Sequence, residues 1–191
     1  MTKTLLAAAL FAAAGLAQAQ SATYAIDPSH TFVNFEARHF GTSTLRGRFD
    51  KKEGTVSFDK AGKSGKVDIT IDTSSVSTGV GPLDGHLKSK DFFNAAEFPT
   101  ARFVGETFTF STLNPEKVTS VAGTLTLRGK THPVTLTATN FNCYQSPMLK
   151  REVCGGDFET TIKRSLWDVS YGLPGIPDET RLLIQVEAVK Q

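Results

Sequence analysis

Residues 66–72 read KVDITID, and their alternating pattern indicates the fold class. Val67, Ile69 and Ile71 alternate with charged or hydroxyl-bearing residues. A period of two is typical of a β-strand that buries one face and leaves the other in water. The same alternation recurs along the chain, at residues 121–127 (VAGTLTL), 134–139 (VTLTAT) and 182–188 (LLIQVEA).

Further short strands are predicted between these stretches, at residues 31–39, 43–49, 55–58, 100–110 and 156–163. Turn-forming residues at 50–54, 114–116 and 128–130 separate them. Many short strands with this punctuation favour an antiparallel sandwich or barrel. About eight strands can close into a barrel whose interior either fills with side chains or holds one small ligand. We therefore predict an all-β fold, an antiparallel eight-stranded barrel.

Residues 82–96 depart from the alternation. Leu83, Leu87, Phe92 and Phe93 are spaced for short helical turns, and Pro99 ends the segment before the next strand. We predict short helical segments near 82–96, placed to cover one end of the barrel.

The N-terminus has the order of a secretory signal peptide. Lys3 precedes an apolar run over residues 5–16, and an A-x-A site ends at Ala19. We predict a signal peptide over residues 1–19, cleavage before Gln20, and one domain over residues 20–191; an uncleaved anchor is the alternative. Later stretches are too short or too polar for a membrane span, so no stable membrane insertion is expected.

Two cysteines, Cys143 and Cys154, lie in the predicted mature chain. An even count in an exported protein favours a disulfide, with free thiols as the alternative. Their spacing is not the C-x-x-C of redox enzymes, so the predicted bridge is structural.

The overall charge is close to neutral, formally +2 at pH 7. It gives no electrostatic argument for binding nucleic acid or an anionic membrane surface. Basic pairs at residues 51–52 and 150–151 fall in predicted turns and are interpreted as solvated loops. The chain has fourteen phenylalanines, which permit an apolar cavity but equally well a filled core.

Polar residues suggest two kinds of chemistry, neither with a strong signal. Asp27, Ser29 and His30 lie close in sequence, but catalytic triads combine separate segments and no G-x-S-x-G elbow is present; we predict a turn here. No histidine has a partner at i+2 or i+4, so neither a metal nor a cofactor is predicted. Asp84 and His86 are the most suggestive pair, because they lie on the segment predicted to cover the barrel.

Four blocks of sequence carry a family resemblance. They are residues 24–35 (YAIDPSHTFVNF), continuing through 38–39 to 45–49; residues 84–93 (DGHLKSKDFF), ending at 98–103; residues 123–134 (GTLTLRGKTHPV); and residues 162–165 (IKRS), followed by the closing strand to 188. Together they resemble the YceI-like family of bacterial periplasmic proteins. The resemblance implies a lipocalin-like barrel with an elongated apolar pocket, a periplasmic location, binding of long-chain isoprenoids or similar lipids, no established catalysis and a possible homodimer. Leu83 departs from the family, whose members commonly place a charged residue there.

We therefore expect a periplasmic protein that binds or carries a long-chain apolar ligand, such as an isoprenoid, an isoprenoid quinone or a fatty-acid derivative. Two alternatives stay open: a hydrolase or isomerase using His30, Asp84 or His86, and a filled, ligand-free barrel acting as a stress or interaction module. The residues expected to contact ligand come from one predicted strand and the covering segment: Val33, Phe35, His39, Asp84, His86, Phe92 and Phe93.

Overall fold

A computed structural model describes residues 21–191. The predicted signal peptide and its cleavage site at Ala19 and Gln20 lie outside these residues. The described chain forms one short α-helix, α1 (Gly81–Lys88), and two 3₁₀ helices, Thr73–Ser75 and Arg164–Trp167. Its eleven strands are β1 (Ala22–Ile26), β2 (Phe32–His39), β3 (Ser43–Phe49), β4 (Lys52–Asp59), β5 (Ser64–Asp72), β6 (Val76–Ser77), β7 (Thr100–Phe110), β8 (Val118–Leu127), β9 (Lys130–Gln145), β10 (Glu152–Lys163) and β11 (Glu179–Lys190).

Eight of these strands close into an antiparallel barrel, which confirms the predicted fold. The ring runs β1, β4, β5, β7, β8, β9, β10 and β11, and β11 returns to β1. β11 pairs with β10 along one edge, and its other edge is long enough to pair with two strands in succession. Its last residues, Ala188–Lys190, pair with β1, whereas residues 181–185 pair with β2. β2, β3 and β6 thus extend the wall beside the upper half of β11.

The junction between β1 and β2 is a turn organised by Asp27, as predicted. The Ser29 backbone N–H and hydroxyl donate to Asp27 Oδ1 at 2.9 and 2.6 Å, and His30 Nδ1 lies 2.7 Å from Oδ2. Hydrogen bonds from Ser29 and then His30 lower the pKa of Asp27 to about 2. Before this turn, as β1, the chain pairs with β4; after it, as β2, the chain pairs with β3.

Consecutive connections in an antiparallel ring alternate between its two ends. We call the end with the β4–β5, β7–β8 and β9–β10 turns the lower end; these turns are residues 60–63, 111–117 and 146–151. The upper end carries residues 73–99, 128–129 and 164–178. The chain also enters the barrel at the lower end, where Ala22 pairs with Phe58.

The upper end is covered by α1 and the loop that follows β10. The predicted short helical segments are present as α1, which ends at Lys88, and residues 89–98 form turns. Ser89, with φ −71° and ψ 175°, is extended, so the helix stops there, and the bond from the Asn94 N–H to the Ser89 carbonyl (2.8 Å) then turns the chain. Arg164 holds the loop over residues 164–178 by donating to four carbonyl oxygens, so its charge is satisfied although the residue is buried.

The predicted disulfide between Cys143 and Cys154 is present. The two residues are direct cross-strand neighbours on β9 and β10, with an S–S distance of 2.08 Å. The bridge lies at the base of the lower turn formed by residues 146–151. It fastens the two strands where that turn begins and ends.

Candidate functional site

The barrel interior contains an apolar cavity of about 140 Å³. One cluster of aromatic rings borders it at the lower end, and a second cluster lies nearer the upper end without bordering it. At the lower end, the Phe58 ring lies 5.9 Å from Phe108 and Phe141 and 6.1 Å from Phe110. At the upper end, the Phe93 ring lies 6.4 Å from Phe35 and 5.3 Å from Phe49. The aliphatic part of the wall comes from β2, β4, β5, β8, β9 and β11 and includes Val56, Val67, Ile69, Leu136, Ile184 and Val186.

Polar groups at the cavity wall are few and already bonded. The Tyr24 hydroxyl donates to Glu152 Oε1 at 3.0 Å, and the Thr31 hydroxyl donates to the Glu187 carbonyl at 3.3 Å. Burial, helped by the neighbouring Glu152 carboxylate, raises the pKa of Tyr24 to about 12, so this hydroxyl stays protonated at neutral pH. Among residues 21–191, no side chain that is charged at neutral pH borders the cavity. The wall therefore offers dispersion contacts and exclusion of water, and little else.

A small polar cluster lies behind the lower wall. Glu152 accepts the hydrogen bond from Tyr24 and forms an ion pair with Lys60. Burial alone would raise the pKa of Glu152, but the bonds from Lys60 and Tyr24 outweigh it and leave this pKa below its usual value. These contacts hold Tyr24 in place as part of the cavity wall.

The predicted ligand contacts from the strands are split between the cavity and the upper end. Val33 borders the cavity. Phe35 and Phe93 belong to the upper ring cluster. His39 is exposed, with its ring 4.9 Å from that of Phe40.

The polar residues predicted on the covering segment have separate partners. Asp84 Oδ1 accepts from the Thr78 N–H at 2.7 Å and the Thr78 hydroxyl at 2.6 Å, which fixes the start of α1. His86 Nε2 lies 2.9 Å from Asp91 Oδ2, and its ring contacts Phe92 and Tyr171 at 5.0 and 4.9 Å. None of Asp84, His86 and Phe92 borders the cavity in this structure. Their contact with a ligand remains a prediction.

Most of the cavity wall was not among the predicted ligand contacts. Val67, Ile69, Leu136, Ile184 and Val186 border it from β5, β9 and β11. The alternating pattern did place these residues on the buried face. The alternating pattern does not indicate whether the space in front of these residues is filled.

One group in the described part of the chain has the composition of a metal site: Cys143, Glu152 and Cys154. Both sulfur atoms are bonded to each other, so neither is available as a thiolate ligand. Among residues 21–191, no helix is long and apolar enough to cross a bilayer.

A closed eight-stranded antiparallel barrel around an apolar void places the chain in the architectural class of lipocalin-like barrels. The model of the YceI-like domain matches residues 24–188, and the chain belongs to this family, as predicted. Protein YceI of Salmonella enteritidis is 38% identical over 177 residues, covering 91% of this chain and 90% of the relative.

Solved structures show the same fold. The crystal structure of the Campylobacter jejuni YCEI protein has 28% sequence identity and a TM-score of 0.69, and the match covers 81% of this chain and 90% of that one. A polyisoprenoid binding domain from Saccharophagus degradans, implicated in plant cell wall breakdown, has 17% identity and a TM-score of 0.63. That match covers 90% of this chain and all of the neighbour.

Proposed function

We propose that this protein binds the apolar chain of a lipid, of the isoprenoid type, inside its barrel. The observation that carries the proposal is the cavity itself, which in the described part of the chain has an apolar wall without charged groups. Such a wall favours hydrocarbon over any polar ligand, by about 0.8 kcal/mol for each methylene buried. The polyisoprenoid-binding description of the Saccharophagus neighbour supports the same ligand class.

The volume of the cavity limits what enters without rearrangement. At about 140 Å³ it is comparable to engineered cavities that hold one benzene. Pockets for larger ligands span about 300–1,000 Å³. A long chain therefore needs ring side chains to move, and Phe108 and Phe110 are the candidates because both are only partly buried, whereas Phe58 and Phe141 are buried.

We propose binding without catalysis, in the periplasm, after export through the predicted signal peptide. Asp84 and His86 hold different partners and neither borders the cavity, so the residues of the enzyme alternative are not arranged around the ligand space. A lipid chain that crosses an aqueous compartment needs a cover that keeps water away from it. A closed barrel with an unfilled interior suits that task better than a filled interaction module does.

Native mass spectrometry of gently purified protein tests the proposal. A titration with geraniol, farnesol and geranylgeraniol should give one bound molecule per barrel. Affinity should rise with chain length, because each added unit buries more hydrocarbon. A folded protein that carries no lipid from the cell and binds none of the three alcohols would contradict the proposal.

A further inference from the structure

The lower end of the barrel exposes apolar side chains at the tips of its turns. Leu113 in the β7–β8 turn is 96% exposed, and Met148 and Leu149 in the β9–β10 turn are 91% and 51% exposed. Single exposed leucines are common on protein surfaces. Here, however, the two most exposed aliphatic side chains of the described residues, Leu113 and Met148, lie on two turns at the same end of the barrel.

Positive charge is concentrated around these tips. The three lower turns carry five cationic side chains and a single carboxylate, that of Glu116; the cations are Lys60, Lys63, Lys117, Lys150 and Arg151. Lys60 is paired with Glu152, whereas the other four have no ion pair within residues 21–191. The connections at the upper end carry four lysines and arginines against five carboxylates. The near-neutral charge of the whole chain conceals this difference between the two ends.

The turns hold these side chains outward. In the β9–β10 turn, the Ser146 N–H donates to the Arg151 carbonyl at 2.9 Å and the Lys150 N–H donates to the Ser146 carbonyl at 2.9 Å. The Cys143–Cys154 bridge fastens the base of the same turn. In the β7–β8 turn, the Lys117 N–H donates to the Asn114 carbonyl at 2.9 Å. Little further ordering is needed for the tips to meet a surface.

We propose that the lower turns dock the protein on the surface of an anionic phospholipid bilayer. Leu113, Met148 and Leu149 enter the boundary between head groups and acyl chains, and the cations around them contact lipid phosphates. Apolar side chains ringed by lysine and arginine are the combination that binds such an interface. The upper end also exposes apolar residues, including Phe40, whose N–H donates to the Gly175 carbonyl of the upper loop at 3.1 Å. It lacks the positive charge that an anionic surface attracts.

Co-sedimentation with vesicles tests this proposal without any ligand in the cavity. The full-length gene is expressed in a bacterial host, and the N-terminus of the purified protein is read by mass spectrometry, so that a retained apolar leader is recognised. Vesicles of phosphatidylcholine with about 30% phosphatidylglycerol should bind the protein, and vesicles of phosphatidylcholine alone should bind it weakly. Binding should fall as salt is raised from about 0.05 to 0.5 M, because the lipid charges are screened.

Two sets of substitutions separate the contributions. Lys150→Gln with Arg151→Gln should weaken binding to anionic vesicles by roughly 25-fold, about fivefold for each cation. Leu113→Ser with Met148→Ser should weaken it by roughly tenfold or more at either salt concentration. The matched control is Phe40→Ser with Leu166→Ser, which removes exposed apolar side chains from the upper end and should leave binding unchanged.

Wild-type protein that fails to bind anionic vesicles at low salt would overturn the proposal. So would lower-turn variants that bind as well as wild type, or a loss confined to the upper-end control, which would assign binding to the opposite face. Unchanged thermal unfolding would show that the variants remain folded. Uptake of geranylgeraniol, measured separately, distinguishes failure of docking from failure of the proposed ligand binding.

Discussion

Filling the cavity with a side chain provides a sharp test of where a ligand lies. Val67 borders the cavity from β5, and its partner in the neighbouring strand is Gly105, which has no side chain. In Val67→Phe, a ring replaces an isopropyl group and occupies much of a void of about 140 Å³. We expect this variant to lose ligand affinity without losing stability.

The two effects can be estimated from the structure. Filling the whole void would recover about 3 kcal/mol, using about 24 cal/mol for each cubic ångström. A ring that fills part of it, with some crowding, should change the free energy of unfolding by about 1 kcal/mol or less. Relative to the isopropyl group the benzyl group adds four carbons, so it displaces about four carbons of ligand, worth about 3 kcal/mol. Geranylgeraniol affinity should therefore fall by about two decades.

Native mass spectrometry gives the affinity, and urea unfolding gives the stability. The control is Thr70→Phe, which adds a ring on the outward face of the same strand and should leave binding intact. If Val67→Phe is folded and binds geranylgeraniol as tightly as wild type does, the ligand does not occupy this cavity and the proposed site is wrong.

Three further predictions concern stability. Cys143→Ser with Cys154→Ser should lower the free energy of unfolding by about 3 kcal/mol, and the loss should match that seen when wild type is unfolded in reductant. The pKa of Asp27 is about 2 in the fold against 3.8 for the free side chain, so its carboxylate stabilises the fold above about pH 4 and this contribution disappears as the pH falls towards 2. When urea unfolding is measured from pH 6 to 2, the free energy of unfolding of wild type should fall by about 1–2 kcal/mol more than that of Asp27→Asn. Equal falls in the two proteins would refute this. Phe58→Ala should cost about 3–5 kcal/mol but enlarge the cavity and favour longer ligands, and weaker binding of geranylgeraniol would contradict that expectation.

The barrel was predictable because its signal is local and repeated. In residues 66–72 the side-chain period alone identifies the buried face of β5, and the same pattern repeats in the neighbouring walls. The end of α1 was less predictable. Leu83, Leu87 and Phe92 are spaced for helical turns, but the extended conformation of Ser89, which ends α1, is one that propensity did not reveal.

Sequence patterns could not predict the cavity or the charged lower end, and the reasons differ. A void depends on how side chains from eight separated strands meet in space, so Ile69 and Leu136 are identified as inward but not as bordering an empty volume. Lys150 and Arg151 were interpreted as a solvated loop, because in sequence they stand alone. In the fold they belong to a cationic end of the barrel, because the topology brings Lys63, Lys117 and Leu113 to the same end.

The pairing of β1 with β11 has a consequence for when the protein can fold during its synthesis. The seam joins residues 24–26 to residues 188–190, almost the first and last of the described chain. A polypeptide that emerges N-terminus first therefore has no closed wall, and no enclosed space for a guest, until its final strand is free. Contacts between such distant parts of a chain form slowly, because a long loop must close first. The barrel therefore closes late in folding. A chain that lacked the last strand would form an open sheet with its apolar face exposed to water.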